Sequence, residues 1–250
     1  MSTKPGYNTV PDSKRIIESI QAELEEHVDA EYRSRAADYT KKDLDKLLGV
    51  RTPTVRKIAG KYYKEIKALG IDAILGPCKE LLKTGISEHR TIAFEWSFRC
   101  RRQYQPEHFA VFERWLKTYV DSWGGCDDLC THTLGEFILQ YPDFVSEVKE
   151  WSHSKNRWLR RASAVTFIYG VRRGMYLYHI FEVADSLLAD PDDLVQKGYG
   201  WMLKVASNNY RHEVFEYVMR NKRVMPRTAL RYAVEKMPDE LKKEAMKKDW

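Results

Sequence analysis

Apolar residues along this chain recur at intervals of three and four, the spacing that lines one face of an α-helix. The first such stripe is Ile16, Ile17, Ile20, Leu24 and Val28, and Asp12 or Ser13 before it can cap a helix. Its charged face, Glu23, Glu25, Glu26 and Glu31 followed by Arg33 and Arg35, is expected in solvent. A short helix is expected over about 41–48, with Gly49 just past its end. Thr52 and Pro53 read as the cap and first position of a helix that buries Val55, Ile58, Ala59 and Tyr62. Gly76-Pro77 reads as a break, with helices after it over about 78–83, 88–102 and 106–120. Beyond a turn at 121–128, helices are expected over about 127–140, 143–151, 158–172, 178–189, 192–207, 211–221, 226–236 and 239–248. Pro142, Pro191, Pro226 and Pro238 fall near helix starts, where a missing N–H is tolerated. No strand alternation or hairpin dipeptide stands out.

The pattern predicts an all-α chain of helices with short connections, which pack antiparallel in succession. That is the order of an α-solenoid of HEAT or armadillo kind, with a curved surface; a compact irregular bundle is the alternative. No strict period is visible, so the repeats are degenerate. One all-α domain over 1–250 is expected, with 1–11 irregular.

Composition agrees with a globular protein: 43% of residues are hydrophobic and 31% charged. No apolar run spans a bilayer, and Met1 to Val10 lacks the apolar core of a secretory signal. The four cysteines, Cys78, Cys100, Cys126 and Cys130, are expected as reduced thiols in a cytoplasmic protein. Net charge is +6, unevenly distributed. Residues 1–150 carry 23 Lys+Arg against 24 Asp+Glu, and residues 151–250 carry 19 against 12. From Trp151 to Ile180 there are Lys155, Arg157, Arg160, Arg161, Arg172 and Arg173 and no acid. A field of one sign attracts polyanions, although a solvated basic face explains it equally well.

Candidate chemistry centres on Ser122-Trp123-Gly124-Gly125-Cys126-Asp127-Asp128, where a Trp precedes a carboxylate by four residues. Adjacent glycines disfavour a helix, so the stretch reads as a turn presenting ring and acid together. An Asp here also suits a helix N-cap, but the Glu or Gln of a capping box is absent. One aspartate can cap and leave the other free. On the helix over 158–172, Trp158, Ala162, Val165 and Tyr169 form one stripe. Arg160 falls opposite it, as a solvated arginine. Arg161 falls on its flank, where a guanidinium needs a phosphate or an internal carboxylate. Gly198 and Gly200 flank Tyr199 beside Trp201 and permit close approach by another helix or a ligand. Cys126, Cys130 and His132 are too few and poorly spaced for zinc, so no metal is expected. Walker A, G-x-G-x-x-G, G-x-S-x-G and H-E-x-x-H motifs are all missing.

Several of these stretches, taken in order, resemble one family, the AlkD-like DNA alkylation repair glycosylases. They are Gly49-Val50-Arg51-Thr52-Pro53 with Arg56, Ser122-Trp123 followed by Asp127, Trp158-Leu159-Arg160-Arg161-Ala162, and Gln196-Lys197 with Gly200-Trp201. The resemblance implies stacked HEAT-like repeats with a basic concave groove for double-stranded DNA. It implies excision of cationic 7-methylguanine and 3-methyladenine, without base flipping, cofactor or metal. It makes Asp127 the catalytic carboxylate, Trp123 and Trp201 the aromatic walls against lesion and sugar, and Arg161 a DNA-backbone contact. Tyr39 is a possible further groove aromatic, and Asp128 an alternative carboxylate. The expected partner is alkylated duplex DNA, met by a monomer away from membranes. Gly124-Gly125-Cys126 departs from the bulkier or polar residues of the family's pattern. Two other readings are a non-catalytic module for branched or distorted DNA and a protein-interaction scaffold.

Overall fold

In the computed structural model Ile16, Ile20 and Leu24 are buried along α1 (Ser13–Glu25), as their spacing requires. The structure describes residues 13–40 and 44–248, without the side chains of Ser13, Ala37, Tyr39 and Thr40. The irregular segment expected at 1–11 therefore lies outside the described residues. The chain divides into two compact units, Met1–Tyr104 and Gln105–Trp250.

The first unit continues with α2 (Ala30–Thr40), α3 (Thr52–Ile66), α4 (Ile71–Lys83) and α5 (Ser87–Arg99). Val28, expected on the buried stripe of α1, is 44% exposed, because α1 stops at Glu25. The Asp29 carboxylate accepts from the Tyr32 N–H at 2.8 Å, at the start of α2. In place of the helix expected over 41–48 there is a 3-10 turn, Leu44–Lys46, with 41–43 outside the described residues. Side chains satisfy this backbone. Arg33 donates to the carbonyls of Leu47 at 2.7 Å and Leu44 at 2.8 Å. The buried Glu88 carboxylate accepts from the N–H groups of Leu48, Gly49 and Val50. Backbone groups satisfied in this way need no helical ladder.

Helix α4 runs through Gly76-Pro77, where a break was expected. Pro inside a helix costs about 3 kcal/mol. Ile71, Ile74, Pro77, Cys78, Leu81 and Leu82 are all buried, mainly against α5, and each large apolar side chain returns roughly 1.5–3 kcal/mol. Helix α3 buries Val55, Ile58, Ala59 and Tyr62 as expected, and Trp96 of α5 donates to its Ala59 carbonyl at 2.8 Å.

The second unit begins with α6 (His108–Tyr119), α7 (Trp123–Asp128), a π-helical turn (Leu129–Leu134), α8 (Gly135–Gln140) and α9 (Val145–Glu150). It continues with α10 (Arg157–Val165), α11 (Ile168–Val171), α12 (Leu177–Ser186), α13 (Asp193–Ala206), α14 (Arg211–Asn221), α15 (Arg227–Val234) and α16 (Asp239–Met246). Phe109, Phe112, Phe137, Phe144 and Trp151 form one aromatic cluster that packs α6 onto α8 and the segment around α9. Helix α13 packs on α10 and α15. It comes so close to α15 that a Cβ on Gly200 would lie 2.7 Å from Tyr232 Cβ and 2.8 Å from the Ala229 carbonyl. That is the close helix approach anticipated for a small residue.

The described residues hold helices and no strand, and within each unit successive helices stack in the repeat-like manner of an α-solenoid. No helix among them is long and apolar enough to cross a membrane.

Candidate active site

The stretch expected to be a turn is helical. Ser122, with extended backbone, caps α7 by accepting from the Gly125 N–H at 3.3 Å, and its carbonyl accepts from Cys126 at 3.0 Å. Asp127 is therefore not a cap. It sits inside a helical run that continues through the π-turn into α8. The two glycines cost about 1 kcal/mol each relative to Ala. Complete burial of Cys126, Leu129, Cys130, Leu134 and Phe137 outweighs that cost. The π-turn begins at Leu129, two residues after Asp127, and such turns recur at functional sites. Thr131 donates from its hydroxyl to the Asp127 carbonyl at 2.8 Å.

The glycines of this run differ in what surrounds them. A Cβ on Gly124 would meet nothing within 4 Å, whereas one on Gly135 would lie 2.4 Å from Tyr169 Cβ. Gly124→Ala is expected to raise unfolding stability by up to about 1 kcal/mol, and Gly135→Ala to lower it by about 2 kcal/mol or more. Urea denaturation of both variants checks the pair; destabilisation by Gly124→Ala would mean that α7 is not helical in solution.

Asp127 is held by Arg161 of α10. Arg161 Nε donates to one carboxylate oxygen and Nη2 to the other, both at 2.8 Å, while Nη1 donates to the Leu194 carbonyl in the first turn of α13. The side chains are 6% exposed for Arg161 and 16% for Asp127. The internal carboxylate that the sequence left open as a partner for Arg161 is thus Asp127. A paired fork of this kind fixes the orientation of a carboxylate as well as its charge. Burial pushes the Asp127 carboxyl above its ordinary value; the Arg161 fork pulls it back, and neighbouring Asp128 adds to the upward push. For Arg161, burial works against the charge, but the carboxylate prevails and the guanidinium is raised above its ordinary value. Because arginine does not surrender its proton, the guanidinium keeps its charge beside the carboxyl.

Helical periodicity relates two of the other candidates, Trp123 and Trp201, to the helices that carry this pair. Trp123 lies one turn before Asp127 in α7, on the same face, and is half-buried. In α13, Leu194, Gly198 and Trp201 share a face at spacings of four and three, and Trp201 is half-buried. A Cβ on Gly198 would lie 3.1 Å from Arg161 Cγ, so Arg161 runs along that face. The structure separates the two aspartates. Asp127 faces Arg161, while Asp128 lies 3.3 Å from Nδ1 of His132. Tyr39 lies in α2, and its side chain is outside the described residues. Cys126 and Cys130 are fully buried, and burial pushes the Cys126 thiol well above its ordinary value, which leaves it protonated and unreactive. No three His, Cys, Asp or Glu side chains among the described residues gather as metal ligands.

Three of the six cations in the acid-free basic run, Arg157, Arg160 and Arg161, are paired with carboxylates in three dimensions. Arg160, expected in solvent, bonds Asp190 from Nε at 2.6 Å and the Ser154 and Lys155 carbonyls from Nη1. Arg157 donates from Nε to Asp192 at 2.6 Å. Arg160 is therefore a structural anchor between α10 and the segment leading into α13. Helical geometry had placed it opposite the stripe correctly, but that side meets the 190–192 segment rather than water. Arg172 and Arg173 are exposed, and Arg173 stacks 3.8 Å over the Tyr169 ring. Asp190, Asp192 and the Leu194 carbonyl were not picked out from the sequence. Asp192 carries one signal, its N-cap bond to the Leu194 N–H at 3.0 Å, which Asp before a helix commonly makes.

Comparison with curated proteins returns no match. A solved structure described as a predicted DNA alkylation repair enzyme from Enterococcus faecalis is similar in fold. Its TM-score is 0.75 at 13% identity, covering 85% of this chain and 98% of that one. The model of the DNA alkylation repair enzyme family matches residues 20–237. Matched over most of its length, the chain belongs to the DNA alkylation repair enzyme family.

Proposed function

We propose that the protein is a DNA glycosylase that excises cationic alkylated purines, 7-methylguanine and 3-methyladenine, from duplex DNA without flipping the base. The observation that carries this reading is the part-buried Asp127 carboxylate, aimed by the two-point fork of Arg161 and one helical turn from Trp123. In 7-methylguanine the ring already bears a positive charge. When the C1′–N9 bond breaks, its electron pair stays on N9 and neutralises the base. The sugar becomes an oxocarbenium ion, and water attacks C1′ and loses a proton, leaving an abasic site and neutral 7-methylguanine. A fixed carboxylate in a site of low dielectric stabilises the oxocarbenium charge and orients the water. The faces of Trp123 and Trp201 attract a cationic base through their quadrupoles.

Arg161, expected as a phosphate contact, acts in this reading on Asp127, since each of its three nitrogens already donates to Asp127 or to Leu194 and its side chain is buried. Phosphate contacts fall to exposed cations of the second unit, Lys155 and Arg172 among them. The test is incubation of the protein with methylated duplex DNA and chromatography of the released bases. Release of 7-methylguanine is expected. No release, with salt-sensitive DNA binding kept, would replace this reading by a non-catalytic DNA-binding module.

A further inference from the structure

We propose that Gly198 is a positioning residue of the active site, whose missing side chain is the channel in which Arg161 lies while it aims Asp127. The inference rests on the glycosylase reading for its kinetic consequence and on geometry alone for its structural one.

Gly198 is buried in α13, a helix interior where glycine is a poor choice. Gly200 explains itself by the backbone of α15, which a Cβ would strike. Gly198 does not meet another backbone. The nearest atoms to a Cβ there would be Arg161 Cγ at 3.1 Å and Arg161 Nη1 at 3.4 Å, followed by Val165 Cγ1 at 3.6 Å. Its first two neighbours thus belong to the side chain that grips Asp127. Four residues earlier, on the same face of α13, the Leu194 carbonyl accepts from Nη1 of that guanidinium. Helix α13 therefore supplies both a shelf for the aliphatic stem of Arg161 and a stop for its tip. The fork that remains, Nε and Nη2, points at the carboxylate.

A methyl group at 198 pushes the stem sideways by a few tenths of an ångström. Arg161 is gripped at both ends, so the push turns the fork rather than moving it bodily. Two hydrogen bonds of 2.8 Å cannot both survive a turn without lengthening. The charged groups facing Asp127 are Arg161 from α10 and Asp128 beside it, with the Cys126 and Cys130 thiols facing Arg161. Weakening the Arg161 bonds leaves burial and Asp128 to act on the carboxyl, and both raise its pKa. Alanine is at the same time a better helix former than glycine. A purely structural change at 198 would therefore alter stability without moving the titration of Asp127.

The experiment uses the full chain with carbon-13 in the aspartate carboxyl groups, the Asp127 signal being assigned by its loss in Asp127→Asn. Its pH titration is followed in wild type, Gly198→Ala and Gly198→Val. Single-turnover excision of 7-methylguanine from methylated duplex DNA is measured on the same samples. Gly198→Ala is expected to move the Asp127 titration to higher pH, to lower the maximal rate about tenfold and to carry the acid limb of the rate profile upward with it. Gly198→Val should exaggerate each change; if it does not fold, the alanine variant alone decides. An Asp127 titration that coincides in wild type and Gly198→Ala overturns the inference. A shifted titration in a protein whose wild type releases no base upholds the positioning role and discards the glycosylase reading instead.

Discussion

Asp127→Asn is expected to slow single-turnover excision of 7-methylguanine about a thousandfold while duplex DNA binding stays within a few-fold of wild type. The amide has nearly the shape of the carboxylate but none of its charge, so it cannot balance the oxocarbenium ion. It also faces Arg161 with an NH2 group where the guanidinium offers only donors. One of the two fork bonds must be lost, and a buried guanidinium is left without a counter-ion. Some loss of stability is therefore expected as well, and rates should be compared at a temperature where both proteins remain folded. Excision is read by base release and binding by fluorescence anisotropy with a labelled duplex. An asparagine variant that excises at the wild-type rate removes Asp127 from the mechanism, and the next carboxylate to test is Asp128, which lies beside His132.

The second large effect concerns stability. Arg161→Met keeps the aliphatic stem and removes the charge, so it strands Asp127 as a largely desolvated carboxylate without a counter-ion. Breaking a buried pair on one side costs about 3 kcal/mol or more at neutral pH. The deficit should depend on pH, in a direction that follows from burial. Without Arg161, desolvation and Asp128 both hold the folded-state carboxyl above its unfolded value of about 3.9. A carboxyl raised in the folded state contributes stability that is complete below the unfolded pKa. That stability is lost as pH rises through the folded pKa. The variant's deficit is therefore smaller near pH 5 than at pH 7.5. The orphaned Leu194 carbonyl adds a part that does not change with pH. Urea unfolding at the two pH values measures the difference. Equal deficits would mean that Arg161 stabilises the fold through packing and the Leu194 bond, and not through Asp127.

Both predictions turn on a contact between residues 34 apart in the chain. The sequence placed Arg161 on the flank of a packed face and Trp123 four residues before an acid. The first placement follows from the 3.6-residue period alone, a local property; the second is bare spacing in a stretch whose glycines argue for a turn. The period also delimited α13 to within one residue at each end and α14 at both, because their apolar stripes end at polar or turn residues. It failed where a non-local force overrode a local preference. Gly124-Gly125 and Gly76-Pro77 both argue for a break, and both lie inside helices because the residues around them are buried on one continuous face. Over 41–48 the error ran the other way. A plausible helix gave way to a 3-10 turn whose backbone is satisfied by Arg33 and Glu88, residues distant in sequence.

Helical character, most of the apolar faces and the ordered set of motifs resembling one repair family are all legible along the chain. Local periodicity, helix termini and residue order carry that information. Which of two adjacent arginines is anchored to Asp190, which grips Asp127, and which aspartate is gripped emerge from the packed helices. The same packing decides that one glycine of α13 makes room for a helix and the other for a guanidinium. Pairing of buried charges depends on where two helices come together in space, and no local pattern along the chain records that distance.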